Sequence, residues 1–358
     1  LLRICLALFV VLAGACAPRG ELALAPGAVG GAPEPMLVAS SRAPQGVGFG
    51  RAAGPGLSFA RMTVSVPPDR VPGTVTFPRG PAPDPRRDFL ITDGTPIADS
   101  AAFIRTVNTA LATRPANQRE VFVFVHGFNT NFAEGLYRQA QMRHDFGAPG
   151  VSVHYAWPSA ASLTAYATDR EAALAARDDL ERLIDLLTRT KATRIVLAGH
   201  SMGAFLVMEA LRQKAIRDQA AGFAKLGTVV LMAPDIDVSV FRRQARLLAE
   251  QDVSIYIFTS SRDRALRFSA LLRGSGNRLG SLSDNGPIAD LPVTVIDLTD
   301  VDDSPDALNH FKVATSPTMI ALFNGMSSYG TLILPDETRQ PGLIAAGAIA
   351  VLSPFADP

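Results

Sequence analysis

The sequence predicts an α/β protein built on a mostly parallel, doubly wound sheet with helices on both faces. Three observations carry that prediction. Short, nearly continuous apolar runs rich in β-branched residues recur from Val121 onward. Segments with helical spacing of apolar residues separate most of them. Apolar residues make up 47% of the 358, enough for one substantial core. Strands buried on both faces need such runs, and strand–helix–strand repetition implies right-handed crossovers.

The elements follow in chain order. Arg3 and the apolar run Ile4–Ala15 read as an export signal, too short to span a bilayer comfortably. Leu12-Ala13-Gly14-Ala15-Cys16 resembles a bacterial lipobox, although Ala13 departs from the usual Leu or Val. That resemblance implies lipidation at Cys16 and a periplasm-facing, membrane-anchored protein of the cell envelope. Ordinary cleavage after Ala15 or Ala17, leaving a soluble periplasmic or secreted protein, is the alternative. Residues 17–56 are rich in Pro, Gly and Ala and read as a flexible tether. The globular body is expected over 57–330.

Within that body, Arg61–Val66 and Thr74–Phe77 read as short strands, and Asp99–Leu111 as a helix capped by Asp99 or Ser100. Val121–Val125, Val151–Ala156, Ile195–Ala198, Thr228–Met232, Val253–Thr259 and Val293–Leu298 are the core strands. Leu174, Leu180, Leu183, Ile184 and Leu187 place a helix over Glu171–Leu187. No segment between strands is long enough for a large cap domain. Arg264 to Asp290 leaves room for a small lid. In the tail, 331–358, Gly342–Leu352 reads as a peripheral helix.

Composition narrows the chemistry. A formal net charge of +1 gives no phosphate-seeking surface, so nucleic acid is not an expected partner. Cys5 and Cys16 are the only cysteines, which excludes a disulfide framework. No Cys and His cluster has metal-ligand spacing, and no cofactor is expected.

Gly199-His200-Ser201-Met202-Gly203 matches the G-x-S-x-G nucleophile elbow, between the strand Ile195–Ala198 and the apolar run Ala204–Leu211. Flanking glycines permit a sharp turn that lifts the serine above the sheet at a helix N-terminus. A serine needs a base, and the base needs an orienting acid. His310 is the one histidine of five that follows the elbow. Asp263 lies just past Val253–Thr259, at a carboxyl strand end, where open α/β sheets build their sites. Its rivals are Asp235 and Asp237 after the preceding strand, and Asp297, Asp300, Asp302 and Asp303 nearer His310. An ion pair with Arg262 or Arg264 would be the bland role for Asp263. The oxyanion donors expected are the backbone N–H groups of Met202 and of Phe128, in His126-Gly127-Phe128-Asn129. His126 reads as a brace for that loop. Trp157 and Asn129 are the candidate substrate-binding residues, with plain packing an equal reading for Trp157. Arg262, Arg264, Arg267, Arg273 and Arg278 either form a solvated face or attract an anionic substrate or lipid headgroup.

Phe124–Asn129, Ala156-Trp157-Pro158-Ser159, Asp169-Arg170-Glu171, Ala233–Asp237 and Ser261–Leu266 occur in this order. The set resembles a family of bacterial α/β-hydrolases described as esterase- or lipase-like, over about residues 60 to 325. It implies the α/β-hydrolase fold and a triad of Ser201, Asp263 and His310, without a substrate. The function expected is cleavage of small to medium carboxylic esters through an acyl-enzyme. An amidase, thioesterase or acyltransferase with the same triad, and a non-catalytic envelope-tethered binding module, are the alternatives. Oligomeric state is not legible.

Overall fold

The computed structural model describes residues 19–80, 82–218, 222–273, 277–327 and 342–345. The described strands are β1 (Ala32–Gln45), β2 (Gly48–Val66), β3 (Leu90–Ile97), β4 (Glu120–Val125), β5 (Val151–Ala156), β6 (Arg194–His200), β7 (Leu226–Met232), β8 (Ser254–Thr259), β9 (Val293–Asp297) and β10 (Gly342–Ala345). They form one sheet in the order β10-β9-β8-β7-β6-β4-β5-β1-β2-β3. Pairing is parallel from β10 through β1 and antiparallel only at β1–β2 and β2–β3.

Alternation within the strands makes the layers. In β4, Val121, Val123 and Val125 enter one apolar cluster, while Phe122 and Phe124 pack into the other. In β6, Ile195 and Leu197 face the first, and Val196 and Ala198 the second. Helices α1 (Ser100–Ala112), α3 (Tyr166–Thr188), α4 (Met202–Asp218) and α5 (Val238–Leu248) cover the first face. Helices α2 (Phe132–Asp145), α7 (Lys312–Thr315) and α8 (Pro317–Ser327) contribute to the layers on the second. The remaining helix, α6 (Arg264–Arg273), follows β8.

Asp99 caps α1, its carboxylate accepting from the Ala102 amide at 2.7 Å. Asn131 and Glu134 form a reciprocal capping box at the start of α2. On α3, Leu180, Leu183, Ile184 and Leu187 are buried at the spacing that places residues on one helix face.

Three expectations are corrected. Residues 17–56 are not a tether as a whole: 32–56 belong to the long β1–β2 hairpin, and β1 sits inside the sheet between β5 and β2. The prolines that suggested a linker are compatible with this position. Pro33 and Pro35 precede the stretch Leu37–Ser40 that pairs with β5, so they face no donor requirement from that neighbour. Ala39, Ser40 and Ser41 are buried because small side chains suit a crowded strand. Second, Thr74–Phe77 is not a strand, and β2 pairs instead with Leu90–Ile97. Third, Gly342–Ala345 is a strand paired with β9, where a helix was expected. Residues 1–16, read from the sequence as a signal segment with its lipidation site Cys16, and most of the tail lie outside the described residues. No described helix is long and apolar enough to cross a membrane.

The strand order reverses at β4. Its successor β5 lies on one side and β6 on the other. The crevice beyond the carboxyl ends of β4 and β6 is where such sheets accept ligands.

Candidate active site

The loop after β4 and the turn after β6 meet at that crevice. Ser201 follows β6 with φ +54°, a left-handed conformation unusual for a residue bearing a side chain. Its amide donates to the Met232 carbonyl at 2.9 Å, and its own carbonyl accepts from Asp235 at 3.2 Å. The strained turn is thus fastened to the loop after β7.

The neighbouring glycines are there for close approach. A Cβ on Gly203 would lie 2.3 Å from the His126 carbonyl oxygen and 2.4 Å from that of Val125. A Cβ on Gly127 would lie 3.1 Å from Ser201 Cβ. The loop carrying Phe128 therefore abuts the serine, with Met202 opening α4 on the other side.

Asp263 and His310 come together from different strand ends. Asp263 follows β8, is fully buried, and accepts the Leu266 amide at 2.8 Å through Oδ1. Its Oδ2 lies 2.6 Å from His310 Nδ1. A carboxylate can only accept, so Nδ1 carries the proton and Nε2 presents a lone pair. Burial opposes the charged imidazole, but Asp263, by charge and hydrogen bond, outweighs it and the His310 pKa is raised. Asp306 fixes the histidine loop, accepting the His310 amide at 2.7 Å and the Phe311 amide at 2.6 Å.

The rival acids are engaged elsewhere. Asp237 caps α5, accepting from Ser239. Asp297 holds Thr299, Asp300 and Asp302 pair with Arg262, and Asp303 accepts from Ser316 and Thr318. Asp235 accepts from Tyr166 Oη at 2.6 Å and Ser269 Oγ at 2.7 Å, beside buried Arg278. Arg278 is thus no part of a solvated face.

His200, inside the elbow, is kept neutral by burial first and by neighbouring His310 second. Its Nε2 lies 3.2 Å from the His310 carbonyl oxygen and so carries the donated proton. The two rings stand 4.6 Å apart.

The structure bears on the two candidate substrate-binding residues differently. Trp157 does not line the crevice: it is fully buried, donates Nε1–H to the His126 carbonyl at 2.7 Å, and stacks on the His126 ring at 5.1 Å. Asn129 has its side-chain oxygen occupied by Arg19 at 3.0 Å. Both residues brace the loop.

That loop is braced by residues not singled out as functional. Arg19 donates to the Asn129 carbonyl at 2.8 Å and pairs with Glu134 at 2.5 Å. Asn129 itself has φ +54°. Asp169, fully buried, accepts Ser159 Oγ at 2.5 Å and the Ala160 amide at 2.6 Å, and its Oδ2 lies 3.5 Å from the Asn129 amide. The Thr130 amide in turn reaches Ser159 Oγ at 3.3 Å. The short motifs around His126, Trp157 and Asp169 are therefore one interlocked support. Their shared order in the sequence was the available signal; Arg19 had none. Among the described residues, no group of three or more His, Cys, Asp or Glu side chains is placed to hold a metal ion.

Comparison with known proteins places the chain in a family. The family model described as "Alpha/beta hydrolase of unknown function (DUF900)" matches residues 99–325, and the chain belongs to that family. No curated protein matches it. Similar solved structures include a gene product of Listeria innocua, 13% identical, covering 63% of this chain and 98% of that one with a TM-score of 0.39. Esterase 2 of Thermogutta terrifontis is 10% identical over 77% of this chain and 92% of that one, with a TM-score of 0.34. A Rhizomucor miehei esterase is 12% identical over 90% and 87%, with a TM-score of 0.36. At these levels none of the three says what this chain acts on.

Proposed function

We propose that this α/β-hydrolase family member is a serine hydrolase of carboxylic esters, with Ser201 as nucleophile, His310 as base and Asp263 as orienting acid. The observation that carries the reading is the Asp263–His310 hydrogen bond of 2.6 Å at the edge where the elbow lifts Ser201.

In this mechanism Ser201 Oγ attacks the ester carbonyl as His310 Nε2 takes its proton. The carbonyl oxygen becomes an oxyanion held by the Met202 and Phe128 N–H groups. Collapse breaks the bond to the alcohol, and His310 returns the proton to the leaving oxygen. Water, deprotonated by His310, then attacks the acyl-enzyme, and the acid departs as Ser201 regains its proton. Asp263 holds the imidazole tautomer and offsets its transient charge without taking a proton. Each acid–base step is of the kind that contributes roughly 10²–10⁴-fold.

The test is labelling by a fluorophosphonate probe, with turnover of matched ester, thioester and amide substrates. The parent is expected to label and to prefer esters, and Ser201→Ala to do neither. A folded parent that does not label overturns the reading. We also propose, on sequence alone, that Cys16 is lipidated in the envelope. Mass analysis of the mature N-terminus tests this.

A further inference from the structure

Helix α6 turns its apolar side outward. Among the helix residues whose burial is described, Arg264, Arg267, Phe268, Leu271 and Leu272 are exposed, whereas Leu266 and Ser269 are buried. The exposed set has spacing i, i+3, i+4, i+7 and i+8, which is one helical face. Phe268 is 49% exposed, Leu271 78% and Leu272 51%, and Leu308, which meets the first residue of the helix, is 52%. Surface helices of globular proteins normally present the opposite pattern, and a contiguous exposed apolar patch marks an interaction surface.

The helix lies across the carboxyl edge of the sheet. It starts beside Asp263, just past β8. At its middle, Ser269 Oγ reaches Asp235 at 2.7 Å and Tyr166 Oη at 2.9 Å, both at that edge. The chain beyond it is still there, since Asn277 accepts the Val238 amide and Gly280 donates to Pro234. The outward face therefore projects from the end of the molecule that carries Ser201 and His310. Leu308 adjoins the start of the helix: its carbonyl accepts the Arg264 amide at 2.9 Å, two residues before His310.

The same edge receives the N-terminal chain. Arg19 is bound to Asn129, in the loop after β4. From β4 to β8 is three strand spacings, roughly 15 Å. Cys16, the lipidation site proposed above, lies three residues before Arg19, a reach of at most about 11 Å. The outward apolar helix face and the two arginines at its head thus share one rim with Arg19, where the proposed lipid anchor would tether the chain. Apolar side chains that enter acyl chains, flanked by cations that meet anionic headgroups, are the chemistry of interfacial helices.

We propose that the carboxyl edge of the sheet rests on an anionic lipid surface, with Phe268, Leu271 and Leu272 entering the interfacial layer, so that the site takes esters of membrane amphiphiles. The choice of substrate class rests on the ester-hydrolase reading; the docking does not.

The test uses the full chain carrying Leu271→Trp. The one native tryptophan, Trp157, is fully buried and gives a constant background. On adding vesicles of phosphatidylcholine with phosphatidylglycerol, the new tryptophan is expected to shift to the blue and to be quenched by brominated acyl chains. Failure to co-sediment with vesicles, or co-sedimentation without shift or quenching, overturns the proposal. So does emission already blue-shifted and shielded from acrylamide without lipid, which would mean that another segment or a second copy covers the face. In parallel, Phe268→Ser/Leu271→Ser/Leu272→Ser is expected to stay within about twofold of the parent on a water-soluble p-nitrophenyl ester. On a long-chain ester dispersed in the same vesicles it is expected to fall about tenfold or more. Equal loss or no loss on both overturns the substrate class. If the parent cleaves no ester at all, the ester-hydrolase reading fails, and the tryptophan signal still decides the docking.

Discussion

Replacing Asp263 by asparagine keeps the shape of a fully buried side chain and removes its charge. In the parent, Oδ2 accepts from His310 Nδ1 at 2.6 Å and Oδ1 from the Leu266 amide at 2.8 Å. The asparagine oxygen can serve only one of these positions. If it remains on the Leu266 amide, its NH₂ group faces His310 Nδ1 and imposes the wrong tautomer, moving the proton onto Nε2. A wrong tautomer in a comparable triad costs about 10⁴-fold in kcat, or about 5 kcal/mol of transition-state stabilisation. The pH dependence adds a second signature. Asp263 is the main group that raises the His310 pKa against the opposing effect of burial. Only the neutral imidazole can act as base, so parent activity rises with pH through a value above the ordinary 6.5. Without the carboxylate, burial dominates and that acid limb moves to lower pH. The raised pKa also stabilises the fold. Its contribution is complete below the unfolded value and is lost as pH rises through the folded one. The assay is kcat/KM for a soluble ester from about pH 5 to pH 9, with thermal unfolding followed alongside. A well-folded Asp263→Asn protein that loses less than about tenfold, with its acid limb unmoved, refutes the reasoning.

Three further outcomes follow from the geometry. Gly203→Ala forces a Cβ to 2.3 Å from a backbone carbonyl, and overpacking of this kind costs about 1–3 kcal/mol or more; a lowered Tm and lost probe labelling are expected, and a normal Tm with normal labelling would contradict the close approach. Arg19→Ala removes the bonds to Asn129 and Glu134 and is expected to lower kcat about tenfold with KM little changed; steady-state kinetics check this, and Arg19→Lys, which keeps the charge, is expected to recover part of the loss. Trp157→Phe deletes the donor to the His126 carbonyl while keeping a ring, for a loss of about 1–2 kcal/mol by denaturant unfolding; chain-length preference for the acyl group is expected to stay unchanged, and a shift in it would return Trp157 to the pocket wall.

Much was legible from residues 99 onward. The core strands from β4 to β9 are marked by apolar runs because a parallel sheet covered on both faces leaves little room for polar residues. The elbow was legible because Gly199, Ser201 and Gly203 answer a local backbone demand. The hairpin β1–β2 was not, since its small residues and prolines carry no apolar period and its burial depends on β5, more than a hundred residues away in sequence. Trp157 illustrates the same limit: its position after β5 marked the right end of the sheet, but depth within that end depends on what lies above it.

What the sequence determined by itself was local: strand and helix periods, a tight turn whose close approaches call for glycines beside the serine, and the order serine, aspartate, histidine. Hydrophobic patterning and backbone sterics act over a few residues, so they can be read from a few residues. What only the tertiary structure decided was which carboxylate meets His310, what holds the loop of Phe128, and which way α6 faces. Those depend on distances between side chains far apart along the chain. A hydrogen bond of 2.6 Å between Asp263 and His310 exists because two strand ends are neighbours in the sheet.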